Sequence, residues 1–179
     1  MNERIKAKHC QGKRFANYVD YIGTIMHSKL IILNFQSDKK EQQRLANKII
    51  LSEKNLLYHS KSYSKEFVAI IFSSEFCSVD IEYKRELSCR ERKVLFDFIH
   101  NENDDVDFDN TDISNYILKI WTLKEAYSKY LQRGLYLNLS EIIVHSTNID
   151  GKYSLGIQGY NTKEAVLLED SDYFTSFII

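Results

Sequence analysis

Ser78-Val79-Asp80-Ile81-Glu82 alternates apolar and acidic side chains, and an alternation of period two marks a strand with one buried face. Val79 and Ile81 then point into a core, while Asp80 and Glu82 lie side by side on the opposite face. The run just before it, Phe67-Val68-Ala69-Ile70-Ile71-Phe72, is short, apolar and rich in strand formers. Ser73-Ser74-Glu75 reads as a turn that folds this run back against residues 77–83 as a hairpin. Downstream, residues 90–99 read as a helix. Beyond an acidic loop, Ile113, Tyr116, Ile117, Ile120, Trp121, Tyr127, Tyr130 and Leu131 recur at helical spacing, with Gly134 as the stop signal.

Residues 135–144, 153–157 and 173–179 read as strands, with Asp150-Gly151 as a hairpin turn. Upstream the signal is thinner. Residues 41–51, with Leu45, Ile49 and Ile50 among polar neighbours, form a modest amphipathic helix, and Leu30-Ile31-Ile32-Leu33 fits a strand or a buried helical piece. This mixture of elements gives an α+β fold.

Composition bounds the function. A chain of 179 residues, 44% hydrophobic and 27% charged, buries one sizeable core or two small halves that share one. A net charge of -1 exerts no global pull on nucleic acid or anionic membrane, so no nucleic-acid partner is expected and any basic function rests on a local patch. The apolar runs fall far short of a membrane span and the first residues lead into no apolar signal, which points to a cytoplasmic protein with no membrane partner. Cys10, Cys77 and Cys89 form no CxxC pair and read as free thiols. With no Pro and only six Gly, the turns fall to Asn, Asp and Ser, and no stretch reads as a linker.

The second chemistry-bearing stretch is Trp121-Thr122-Leu123-Lys124-Glu125-Ala126-Tyr127-Ser128-Lys129. At about 100° per residue, Trp121, Glu125 and Lys129 line the edge of the apolar stripe and can wall a cleft. Lys124 points into the stripe itself, where an ammonium is costly unless it snorkels or meets an anion such as a bound phosphate. Taken alone, Glu125 and Lys129 also fit a solvated i,i+4 ion pair. Asp80, Glu82 and Glu125 brought together on rigid elements make a site for a hard cation that leaves positions open for substrate phosphates.

Other constellations carry less. Asp104, Asp105, Asp107 and Asp109 imitate a calcium loop, yet the turn glycine is missing and Tyr116 stands where the closing Glu belongs, so this reads as a solvated acidic loop. His9, His27, His59, His100 and His145 show no HExxH spacing, and no Gly-x-Ser-x-Gly elbow accompanies them, which excludes zinc and serine hydrolases.

Ser78-Val79-Asp80-Ile81-Glu82 followed by Trp121-Thr122-Leu123-Lys124-Glu125-Ala126-Tyr127-Ser128-Lys129 resembles the two signature motifs of the 4'-phosphopantetheinyl transferase superfamily. Those motifs usually read Val/Ile-Gly-Ile/Val-Asp-Ile-Glu and Trp-(Ser/Thr)-x-Lys-Glu-(Ala/Ser)-x-x-Lys. Ser62-Tyr63-Ser64 is similar to the family's Ser-His-Ser, and Gln132-Arg133-Gly134-Leu135 to its Gly-x-Gly-Leu. The likeness spans residues 60–140 and is to the larger, surfactin-synthetase-activating type with a shortened N-terminal half.

The resemblance implies a monomeric, single compact unit of two similar α/β lobes related by a pseudo-two-fold, residues 1–76 and 77–179, with the metal site in the second and coenzyme A between them. It implies a holo-[acyl-carrier-protein] synthase activity: Mg2+-dependent transfer of the 4'-phosphopantetheine arm of coenzyme A to a serine of an apo acyl or peptidyl carrier protein, releasing adenosine 3',5'-bisphosphate. By motif position, Asp80, Glu82 and Glu125 would hold the magnesium. Lys124 and Lys129 would neutralise phosphate charge, with Lys129 assisting the leaving phosphate, and Glu125 or a water on the metal would take the serine proton. Ser62, Tyr63 and Ser64 would contact coenzyme A, with Lys13 and Arg14 as candidates for its 3'-phosphate.

Some departures from the pattern matter for function. Ser78 stands where Gly is common, Tyr63 replaces a His and so keeps a donor without a charge, and no Gly-Lys-Pro stretch precedes residue 62. These departures support an alternative, a decayed non-catalytic member that binds carrier protein or coenzyme A, whereas Asp80, Glu82, Glu125 and Lys129 speak against it. A different magnesium phosphotransferase would need a nucleotide loop, and no P-loop exists here. Lys84, Arg85, Arg90, Arg92 and Lys93, directly after the carboxylate strand, form the densest basic stretch and a candidate dock for an acidic carrier helix.

Overall fold

In the computed structural model, which describes residues 19–25, 28–35, 38–53, 55–106, 112–133 and 137–179, two antiparallel sheets and their covering helices form a mixed α+β architecture. The first half supplies β1 (Val19–Ile25), β2 (Ser28–Asn34), α1 (Lys39–Ser52), β3 (Tyr58–Ser64) and β4 (Phe67–Ser73). The second supplies β5 (Ser78–Tyr83), α2 (Cys89–Ile99), α3 (Ile113–Tyr130), β6 (Ile143–Ser146), β7 (Lys152–Gly156), β8 (Lys163–Glu169) and β9 (Tyr173–Ile178). One sheet runs β1-β2-β4-β3 and the other β5-β9-β8-β7-β6.

β4 is buried along its whole length because it is central in its sheet and apolar on both faces. Val68, Ile70 and Phe72 pack under α1 with Ile31, Leu33 and Ala46. Phe67, Ala69 and Ile71 face the other way and meet Val79 and Ile81 of β5 with Tyr173 and Phe177 of β9, so one apolar layer joins the two sheets. The far side of the second sheet carries α3 and α2, through Ile117, Ile120, Leu123 and Tyr127 against Leu155, Leu167, Phe174 and Ile178.

The stretch expected as strand or helix at Leu30–Leu33 is β2, and the expected helices appear as α1, α2 and α3. Asp112 caps α3 by accepting from the Asn115 N–H at 3.0 Å. The helix closes with Gln132 N–H on the Lys129 carbonyl at 3.0 Å and Arg133 N–H on the Ser128 carbonyl at 3.3 Å, with Gln132 at φ 55°. This is a Schellman closure built on a residue other than glycine. At the Asp150-Gly151 turn between β6 and β7, Gly151 takes φ 72°, and a Cβ there would come within 3.2 Å of the Leu167 carbonyl.

Two expectations are corrected. β4 and β5 do not form a hairpin: both edges of β4 are taken by β2 and β3, and β5 pairs with β9 in the other sheet. The strand expected over residues 135–144 is interrupted in its described part, because Asn138 caps a 3-10 turn at Leu139–Glu141 and β6 begins only at Ile143. Lys13, Arg14, His9, Cys10, His27, Asp107, Asp109, Gly134 and Leu135 lie outside the described residues.

Candidate active site

The site forms where an edge of each sheet meets α3. The β-strand alternation that sends Val79 and Ile81 into the layer between the sheets turns Ser78, Asp80 and Glu82 toward α3 and β3. Ser78 donates to the Ala126 carbonyl at 2.8 Å, which pins β5 to the turn of α3 carrying Glu125. The Ser78 hydroxyl, at a position where the motif it resembles has glycine, is therefore a tether between strand and helix.

β3 faces β5 with three serines at period two. Ser60 Oγ accepts the Val79 N–H at 3.2 Å. Ser62 Oγ donates to Asp80 Oδ1 at 2.7 Å. Ser64 Oγ donates to Glu82 Oε2 at 2.9 Å and accepts the Tyr83 N–H at 2.9 Å. The seam between the sheets is thus closed by hydroxyls where backbone ladders end.

Lys129 reaches into this seam from α3. Its Nζ lies 2.6 Å from Asp80 Oδ1, 3.0 Å from Ser62 Oγ and 3.4 Å from the Val79 carbonyl. Asp80 is only 3% exposed, and its second oxygen, Oδ2, has no hydrogen-bond donor. Burial and then the Asp80 charge push the Glu82 carboxyl up to about 7, against the opposing pull of Ser64, Lys129 and Arg85. Glu125 is also raised, by burial first and by Asp80 second. The local chemistry is a partly buried group of acids with the Lys129 ammonium among them.

Asp80, Glu82 and Glu125 could hold a divalent cation: all three are hard oxygen donors, and Glu82 and Glu125 hold protons more tightly, first because they are partly buried and second because Asp80 lies nearby. Among the described residues, no three such side chains already converge as a finished cage, and the ammonium of Lys129 occupies the Asp80 Oδ1 position.

The other candidates are placed differently. Lys124 does point into the core as expected, and its side chain is 0% exposed. Its anion is Asp104, not a phosphate: Nζ donates to Asp104 Oδ2 and to the Ile99 carbonyl, both at 2.7 Å. Asp104 also accepts the Val144 N–H at 2.8 Å, so the loop read as solvated supplies a buried ion-pair partner. A clue was present in the sequence, since a lysine on the apolar stripe demands a carboxylate from elsewhere in the chain.

Tyr63 sits on the opposite face of β3 from Ser62 and Ser64, packed on the α1 side with its hydroxyl buried and unpartnered. It is not brought to the carboxylates. Arg133, within the stretch likened to Gly-x-Gly-Leu, hydrogen-bonds the Tyr160 hydroxyl. In the basic stretch, Lys84 pairs with Glu169 at 2.7 Å, Arg85 with Glu91 at 2.8 Å and Arg92 with Glu86 at 2.7 Å. Arg90 and Lys93 remain exposed beside Val94 and Phe98, which are 60% and 47% exposed.

The family model described as 4'-phosphopantetheinyl transferase superfamily matches residues 77–178, more than half of the chain and the whole span that supplies Asp80, Glu82, Glu125 and Lys129. No curated protein matches the chain.

Proposed function

This chain belongs to the 4'-phosphopantetheinyl transferase superfamily, and we propose that it is a magnesium-dependent holo-[acyl-carrier-protein] synthase that moves the phosphopantetheine arm of coenzyme A onto a serine of an apo acyl or peptidyl carrier protein. The observation that carries this reading is the Lys129–Asp80–Ser62 contact in the seam, flanked by Glu82 and Glu125.

Asp80, Glu82 and Glu125 would hold the cation, which when bound neutralises charge on the pyrophosphate of coenzyme A. Lys129 is a long, partly exposed side chain that can leave Asp80 Oδ1 and donate to the phosphate oxygen that departs. Glu125, half-buried beside Asp80, holds its proton more tightly than an ordinary carboxyl and can accept the serine proton. The new bond joins the serine oxygen to the phosphorus bearing the pantetheine arm. The bond from that phosphorus to the adenosine side breaks, and adenosine 3',5'-bisphosphate leaves.

We assign residues 1–76 and 77–179 to two lobes of one monomer, related by a pseudo-two-fold, with coenzyme A along the β3–β5 seam. Free thiols at Cys77 and Cys89 suit a cytoplasmic setting. Three of the five basic residues after β5 are engaged by their own acids, so the carrier dock narrows to Arg90 and Lys93 around Val94 and Phe98 on α2. An acidic amphipathic helix matches that mixture of cations and apolar groups.

A second reading, a non-catalytic module for carrier protein or coenzyme A, gains from Tyr63 facing away and from Lys124 being bound by Asp104. Mass spectrometry of apo carrier proteins incubated with this protein, coenzyme A and magnesium separates the two. The added arm supports the transferase. Carriers that bind yet stay unmodified support the module.

A further inference from the structure

Asp80 of β5 pairs directly with Ser176 of β9. Directly opposed residues of an antiparallel ladder share a face, with Cβ atoms about 4.5–5.5 Å apart. On this face the β9 neighbours Phe174 and Ile178 pack toward α3. Asp80 and Ser176 are both buried, and each keeps one oxygen without a partner: Oδ2 of Asp80 and Oγ of Ser176. One is an acceptor with no donor, and the other carries a proton with no acceptor. The two orphaned groups are complementary, and the ladder sets their side chains next to each other.

A second buried hydroxyl, Thr175, also lacks a partner, but it opposes Ile81 and faces the apolar layer between the sheets. The alternation of the strand keeps it away from Asp80.

We infer that Ser176 is a positioning residue for the Asp80 carboxylate: its hydroxyl donates to Oδ2, leaving Oδ1 directed at the seam where Ser62 and Lys129 meet it. This rests on the reading of Asp80 as a metal ligand. Carboxylate ligands are themselves oriented by hydrogen bonds, and removing such a partner typically weakens metal binding about 10- to 100-fold.

The test uses the full chain with Mn2+ alone as probe, titrated by calorimetry and by the paramagnetic signal of free Mn2+, with metal-free thermal unfolding measured alongside. The parent should bind Mn2+ and D80A should not. S176A should bind at least about tenfold more weakly, with its metal-free unfolding midpoint close to that of the parent, and T175V should bind like the parent. If D80A binds Mn2+ as the parent does, or neither binds, the metal reading fails and this inference goes with it. If D80A loses binding while S176A keeps it, or if T175V weakens binding as much as S176A, the role of Ser176 alone is overturned.

Discussion

Replacing Lys129 with Met should make the protein bind a divalent cation more tightly while destroying transfer. In the protein as it stands, the Lys129 ammonium is the nearest cation to Asp80 Oδ1, at 2.6 Å. A metal that takes this oxygen must displace it. Breaking a buried ion pair by removing one partner costs about 3–5 kcal/mol, but the Lys129 side chain is 30% exposed and solvent already screens the pair. About 2 kcal/mol is the expected loss in metal-free K129M, equivalent to a fall of roughly 4–8 °C in unfolding midpoint for a chain of this size. The same energy no longer opposes the cation, so Mn2+ affinity should rise about tenfold or more, at 1.4 kcal/mol per decade. Unfolding in chelator and calorimetric Mn2+ titration read the two effects separately. Parent-like stability in chelator together with unchanged or weaker Mn2+ binding would refute the exchange of ammonium for metal.

K124M should act on folding and leave coenzyme A affinity alone, because it strands Asp104 as a buried charge. A loss of about 3–5 kcal/mol is expected in urea unfolding, largely recovered in K124M/D104L; a stable K124M with weakened coenzyme A would return Lys124 to the phosphates. Glu82 sits at about 7 in the folded protein, above its unfolded value, so the folded state holds the extra proton and the stability tied to it is lost as pH rises through that value. Glu125 adds to this in the same direction. Metal-free stability against pH should therefore fall less steeply toward neutrality in E82Q than in the parent, and identical slopes would place Glu82 in a solvated setting. R90E/K93E should raise the apparent KM for carrier protein and leave that for coenzyme A unchanged; no change at low salt would move the dock off α2.

The parts of this fold that were readable share one property: their apolar residues repeat with the period of the element. β5 and α3 are the clearest, and the carboxylates and Lys129 came with them because the same periods place polar side chains on the complementary faces. β3 was not readable, since Tyr58-His59-Ser60-Lys61-Ser62-Tyr63-Ser64 has no apolar face at all; its serines face the seam and its Lys61 and Tyr63 face α1. β8 was missed because Ala165-Val166-Leu167-Leu168 is as good a helical run as a strand, and only its pairing with β7 and β9 decides. The mistaken hairpin has the same origin: a short apolar run announces a strand but not its neighbours. The Asp104 partner of Lys124 and the turn of Tyr63 toward α1 depend on contacts remote in sequence or on which side of an edge strand meets the other sheet.

The serine-lined border of β5 also bears on strand-to-strand aggregation. An edge strand offers a row of free N–H groups to any passing chain, and natural proteins commonly guard such edges with charge, bulges or a covering element. Here the outward N–H groups of Val79 and Tyr83 are occupied by the hydroxyls of Ser60 and Ser64. A strand arriving from another molecule would first have to evict β3. The polar seam therefore also shields the carboxylate strand from aggregation, and loss of Ser60 and Ser64 would uncover those N–H groups.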